Sequence, residues 1–426
     1  MLMQTWARSA LCAVGTWPGV LLAAALIVGA TIFSRQPGAA MAQTGIQVIA
    51  QPAPEYDFGQ VITFTLSAQS TARITSATLM LDTGGTAPSA WHDVRFQPGL
   101  RIDAIAAFNL ATNPLPPFSP VRFWWVLADS AGGQLSSAPV TFVYEDSRFT
   151  WKTITQGSVT VHWYQGDQAF GQMAVNIATG ALPVINRDVQ APLPERVDIY
   201  IYGTAADVQA ALQRVGHSWA NGHADPKLGV VVVAVAPDLR AEYNLQVNIP
   251  HEMTHVLIYR ATGDSYGRVP VWLNEGLAVM HQGQRDSDFP ALLAAARDAR
   301  QFLSLSNLCG PFDPNTVRLA YAESESVVRF VERQFGTEGI NRLLAAYVGG
   351  ASCEAGVQSS LGLSLDQLQV RWLDDLAPAA SIPQNAQTLA PWLVLAGLVL
   401  LAPVTFLLLA FRGRRGPEQP RKGGMV

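Results

Sequence analysis

The stretch "NIPHEMTHVLIYRATG", residues 248–263, places two histidines four positions apart with a glutamate directly after the first. On a helix His251 and His255 stack one turn apart on the same face, a spacing at which two imidazoles can grip one zinc ion. Glu252, turned by about 100° from His251, reaches a water beside that ion without being a ligand. The chemistry open to such a set is hydrolysis. In a chain with only 7 histidines the pattern rarely arises by chance. A hydrolytic site uses three protein ligands and keeps the fourth position open.

The third ligand has a candidate in "VPVWLNEGLAVM", residues 269–280, where Glu275 lies twenty positions after His255. Trp272, Leu273, Leu277 and Val279 make this segment mostly buried, and an unpaired carboxylate there would be costly. Hydrolysis of a carbonyl also needs a donor for the oxyanion, and Tyr321, at the head of a later helical stretch, is the candidate. An ordinary packing tyrosine is the competing reading. His281 and His223 could line the same cleft, although a structural histidine is the plainer reading of each.

These residues need elements to hold them. Asn248 reads as an N-cap, Pro250 as a first-turn proline and Gly263 as a C-terminal stop, so the spacing predicts a helix over 249–262. A Gly/Asp/Ser/Pro loop follows, and a second helix can return antiparallel with Glu275 facing the histidines. Upstream, "GSVTVHWYQG", "RVDIYIYG" and "LGVVVVAVAP" read as strands, with "DQAFGQMAVNIATGAL" and "TAADVQAALQRVG" as helices, giving an α/β lobe with one mixed sheet. After residue 286 the pattern is almost entirely helical. Residues 45–146 alternate apolar and polar positions in short runs separated by turn-rich pieces, which reads as a β-sandwich of the immunoglobulin or fibronectin type III kind, with a spacer or recruitment role.

HEMTH followed by WLNEGLA resembles the gluzincin metallopeptidases, whose pattern is HExxH and then a glutamate ligand in an NExxA-type segment of the next helix. With "YAESESVVRFVERQFG" and the order of sheet, motif helix, glutamate helix and helical lobe, residues 145–376 look most like the bacterial peptidase MA-like family. The resemblance implies one zinc held by His251, His255 and Glu275, Glu252 as general base, and a peptide or protein substrate. It departs from the alanyl-aminopeptidase branch by a one-residue longer spacer and by lacking a GxMEN motif. "FGQMAVN", residues 170–176, falls on a predicted helix instead, which favours endopeptidase or undefined specificity.

Charged residues are only 14% of the chain and hydrophobic ones 49%, so part of the sequence reads as membrane-embedded. Residues 1–42 read as a signal peptide or N-terminal anchor, and 389–411, 23 residues without a charge, as a transmembrane helix after a linker at 379–388. The basic tail 412–426 would then stay in the cytoplasm and the body face outward, as a single-pass membrane protein or a two-pass one if the leader is kept. A net charge of −4 with no basic run outside the tail gives no support for nucleic-acid binding. Cys309 and Cys353, the only cysteines beyond the leader, read as a disulfide. The expected architecture is therefore multidomain: the sandwich at 45–146, an α+β zincin-like metallopeptidase domain with a helical C-terminal lobe at 147–378, and the C-terminal membrane helix. The sequence carries no signal of oligomeric state. A surface binding or sensing protein that keeps the fold without cleaving is the alternative, and the intact Glu252 weighs against it, since a structural zinc site has no use for a general base.

Overall fold

A computed structural model describes residues 45–84, 88–91, 94–212, 222–377 and a few positions between 391 and 409. The predicted leader at 1–42, the linker at 379–388 and the basic tail lie outside these residues.

The first domain is organised by one 22-residue strand, Val61–Asp82. Its first half pairs with Gly99–Asn109 and its second half with Pro120–Asp129, both antiparallel, and the register breaks between Gln69 and Ser76. Across that break the buried positions change parity, from Ile62, Phe64, Leu66 and Ala68 to Ala77, Leu79 and Leu81. A bulge is what allows a strand to switch its buried face without ending. The strand thus runs through both layers, and Phe64 of one meets Phe123 of the other with ring centroids 4.9 Å apart. The sandwich expected at 45–146 is one continuous hydrogen-bonded sheet of nine strands among the described residues, not two separate sheets.

The second domain has a five-stranded mixed sheet in the order Lys152–Gln156, Val159–Trp163, Val197–Tyr202, Val230–Ala234 and Gly222–Asp225, the two outer pairings antiparallel and the two inner ones parallel. "VDIYIY" shows why the sheet is buried on both faces. Val197, Ile199 and Ile201 face the core built with helices α1 (Gln168–Val189) and α3 (Ala241–Thr262). Tyr200 and Tyr202 face the first domain and helix α2 (Ala205–Leu212). There Phe118 stacks on Tyr200 at 3.8 Å, and Tyr202 Oη donates to the fully buried Asp146 at 2.8 Å. The two domains therefore share one apolar core across this face.

The helical part follows: α4 (Val271–Met280), α5 (Phe289–Ala299), α6 (Val317–Val348, broken at Gly336, φ 66°), α7 (Cys353–Leu361) and α8 (Leu365–Leu376). Cys309 is bonded to Cys353, closing a loop across α6 with a sequence separation of 44. In the chain-entropy account such a loop contributes roughly 4 kcal/mol.

Helix α6 also buries an acid. Glu323 is fully buried and accepts from Leu303 N at 3.1 Å, and burial pushes its carboxyl up to about 8. The folded protein thus keeps this proton to a higher pH than the unfolded chain, so the stability it contributes is complete below about pH 4.3 and is lost as pH rises through about 8. Glu323→Gln, which keeps an oxygen for Leu303 N–H but cannot ionise, should raise the melting temperature at pH 9 and leave it unchanged at pH 4. A variant that melts with the parent at both pH values would contradict this.

No helix among the described residues is long and apolar enough to cross a membrane. This corrects the expectation of a transmembrane helix at 389–411 and of a membrane-anchored, outward-facing location. Most of that run lies outside the described residues, and its longest described helical piece is residues 391–396.

Candidate metal centre

Helix α3 starts at Ala241, eight residues before the predicted start, and Pro250 lies inside it. Asn248 is not its cap: its Nδ2 donates to Asn244 O at 2.9 Å, one turn back. The C-terminal stop is at Gly263, whose φ of 57° suits glycine. A 3-10 turn, Gly263–Arg268, leads into α4, which packs back against α3.

That packing brings His251, His255 and Glu275 together, with one ligand atom from each, all within 4.8 Å of one another. Nε2 of His251 is 3.5 Å and Nε2 of His255 3.8 Å from Glu275 Oε2. Two imidazoles and a carboxylate converging on one point fit a zinc ion with an open fourth position. Burial alone would raise the Glu275 carboxyl, but His255 and His251 hold it below the usual carboxylate range. Glu252 sits beside them, 9% exposed, and burial pushes it up to about 7, with His255 lowering it and Glu275 raising it.

Asn274, the neighbour of Glu275, orients His255. Its Oδ1 lies 3.1 Å from His255 Nδ1, and its Nδ2 donates to Tyr266 Oη at 3.0 Å. An Asn274 oxygen that accepts from Nδ1–H would leave the lone pair of His255 Nε2 for a metal ion. Gly276 lets α4 lie close on α6: an added Cβ would be 2.5 Å from Ser324 O.

Tyr321 stands half-buried at the start of α6, its ring centroid 6.5 Å from that of His251 and edge-on to Phe312. Burial, then the charges of Glu275 and Glu252, raise its hydroxyl, so it stays a donor. The other two histidines considered for the cleft, His281 and His223, are elsewhere. His281 is buried in a structural tie, Nε2 3.0 Å from Asp188 Oδ2 and Nδ1 3.4 Å from Thr254 Oγ1. His223 lines a small cavity of about 120 Å³ with Phe118 and Leu212 on the opposite face of the sheet.

Sequence reasoning missed the edge strand Gly222–Asp225. An added Cβ on Gly222 would lie 2.5 Å from Glu252 Oε1, so this outer strand runs directly past the acid. Four residues, "GHAD", are too short for an alternation signal.

A sequence-family description, the Peptidase MA superfamily, matches residues 177–377, which include every residue of the trio, Glu252 and Tyr321. Residues 177–377 belong to the peptidase MA superfamily. The chain is accordingly a metallopeptidase, with the first domain outside the matched region. No curated protein matches the chain. Among solved structures, an M1 zinc metallopeptidase from Deinococcus radiodurans is 14% identical, with 78% of this chain and 94% of that one covered at a TM-score of 0.36. An aminopeptidase N family protein from Idiomarina loihiensis is 9% identical, with 78% and 74% covered at 0.34. Superpositions this loose carry no inference, and the assignment rests on the peptidase MA match.

Proposed function

We propose that this peptidase MA domain hydrolyses peptide bonds with one zinc ion held by His251, His255 and Glu275. The observation that carries the reading is the convergence of these three ligand atoms within 4.8 Å with Glu252 buried alongside. Zinc in this position supplies Lewis-acid polarisation of a carbonyl and a more acidic water. Glu252 takes the proton of the attacking water and returns it to the leaving nitrogen, a role for which a carboxyl brought up to about 7 is matched near neutral pH. Tyr321 donates its hydroxyl hydrogen to the carbonyl oxygen as negative charge grows there. A substrate backbone that passes Gly222 lies beside Glu252. The sequence has no GxMEN motif before the motif helix, which favours endopeptidase or undefined specificity.

The test is metal analysis of the full chain together with digestion of an unbiased peptide library. Stoichiometric zinc with cleavage supports the reading, and zinc with no cleavage of any peptide overturns it. Gly222→Ala gives a finer measurement: its methyl would force Glu252 aside, so the turnover rate should fall at least about tenfold while bound zinc stays stoichiometric. Unchanged turnover would remove the edge strand from the site.

A further inference from the structure

Pro250 has no N–H, so the carbonyl of Gln246, four residues earlier in α3, loses its helical donor. Another segment supplies one: Gly283 N donates to Gln246 O at 2.8 Å. The approach is close, since an added Cβ on Gly283 would lie 3.1 Å from that carbonyl. Gln284 Nε2 then donates to Gln246 Oε1 at 2.7 Å, and on the other side His281 is held by Asp188 and Thr254. The residue clamped between is Gln282. Its Nε2 lies 3.1 Å from His251 Nδ1.

We infer that Gln282 is a positioning residue that sets the tautomer and orientation of His251 as a metal ligand, a role that rests on the zinc reading above. An imidazole binds through Nε2 only when that nitrogen keeps its lone pair, so Nδ1 must carry the proton and needs an acceptor. The oxygen end of the Gln282 amide provides it after a half-turn about the terminal torsion, the two ends being nearly equal in shape. In the structure the nitrogen end faces Nδ1, which suits the other tautomer, with Nε2–H directed at Glu275 Oε2 3.5 Å away. One amide therefore serves both tautomers. The counterpart at His255 is Asn274, whose Oδ1 lies 3.1 Å from Nδ1 and whose Nδ2 is held by Tyr266 Oη. The proline that interrupts the hydrogen bonding of α3 is what frees the carbonyl that places Gln282.

The experiment measures zinc affinity of the full chain by chelator competition, and melting of the zinc-stripped protein, for wild type, Gln282→Leu and Gln282→Glu. Gln282→Leu should bind zinc about 10–100-fold more weakly with the same stripped melting temperature. Gln282→Glu, whose carboxylate accepts from Nδ1–H without turning, should bind at least as tightly as wild type. Wild-type affinity in Gln282→Leu overturns the inference, and so does an equal loss in both variants. Should Gln282→Leu fail to fold, Gln282→Glu decides alone: weaker binding than wild type overturns the role. A wild type without zinc removes the metal reading and this role with it, whereas zinc effects as expected with no peptide cleavage leave Gln282 in place and remove only the enzymatic reading.

Discussion

Glu252→Gln should keep stoichiometric zinc and an intact fold while lowering peptide hydrolysis by about 10²–10⁴-fold. The amide fills the same volume beside Gly222 but has no lone pair basic enough to take the proton of water, and none of the ligand atoms within 4.8 Å of one another belongs to it. Its effect on stability has a definite sign. Because burial raises the Glu252 carboxyl to about 7, the zinc-stripped parent loses stability as pH rises from about 4.3 through 7, and the variant, in which only the Glu323 contribution remains, should lose less. Bound zinc, hydrolysis rate and the melting temperature at pH 5 and pH 8.5 together check this. A variant that hydrolyses at the parent rate would remove Glu252 from proton transfer. A parent that binds zinc, cleaves nothing and matches Glu252→Gln in every measurement would make the protein a binding relic of the fold.

The trio was legible in the sequence because its geometry is mostly local. The i, i+4 spacing places His251 and His255 on one helical face wherever the helix begins, so the misplaced start at Asn248 did no harm to the site. Glu275 could be found because a carboxylate among Trp272, Leu273 and Leu277 needs a partner. Pro250 misled because a proline reads as a first-turn residue, and only the Gly283 N–H, thirty-odd residues on, makes it tolerable inside α3. For the same reason Gln282 left no trace: its importance depends on a tertiary approach. The apolar run at 389–411 was read from composition, which reports transfer free energy without reporting whether a continuous helix forms. The long strand Val61–Asp82 reads in sequence as two runs, "GQVITFTLSA" and "RITSATLML", because a bulge that flips parity looks like a turn.

Glu275→Ala should fail in the opposite order from Glu252→Gln, losing metal first and activity as a consequence. Removing a ligand leaves two imidazoles to hold the ion, so zinc affinity should fall by more than the 10–100-fold typical of losing an outer hydrogen-bond partner. The alanine also takes away the carboxylate that His255 and His251 keep ionised, so the stripped protein should lose an interaction that is present above the usual carboxylate range and absent in acid. Zinc titration of the variant separates the two effects. Excess zinc should restore part of the hydrolysis in Glu275→Ala, because Glu252 is still there, and should restore none in Glu252→Gln, where the ion is already bound. If Glu275→Ala instead retains full zinc and full activity, the third ligand lies elsewhere, and the likeness between WLNEGLA and the gluzincin pattern misleads at the residue on which it depends most.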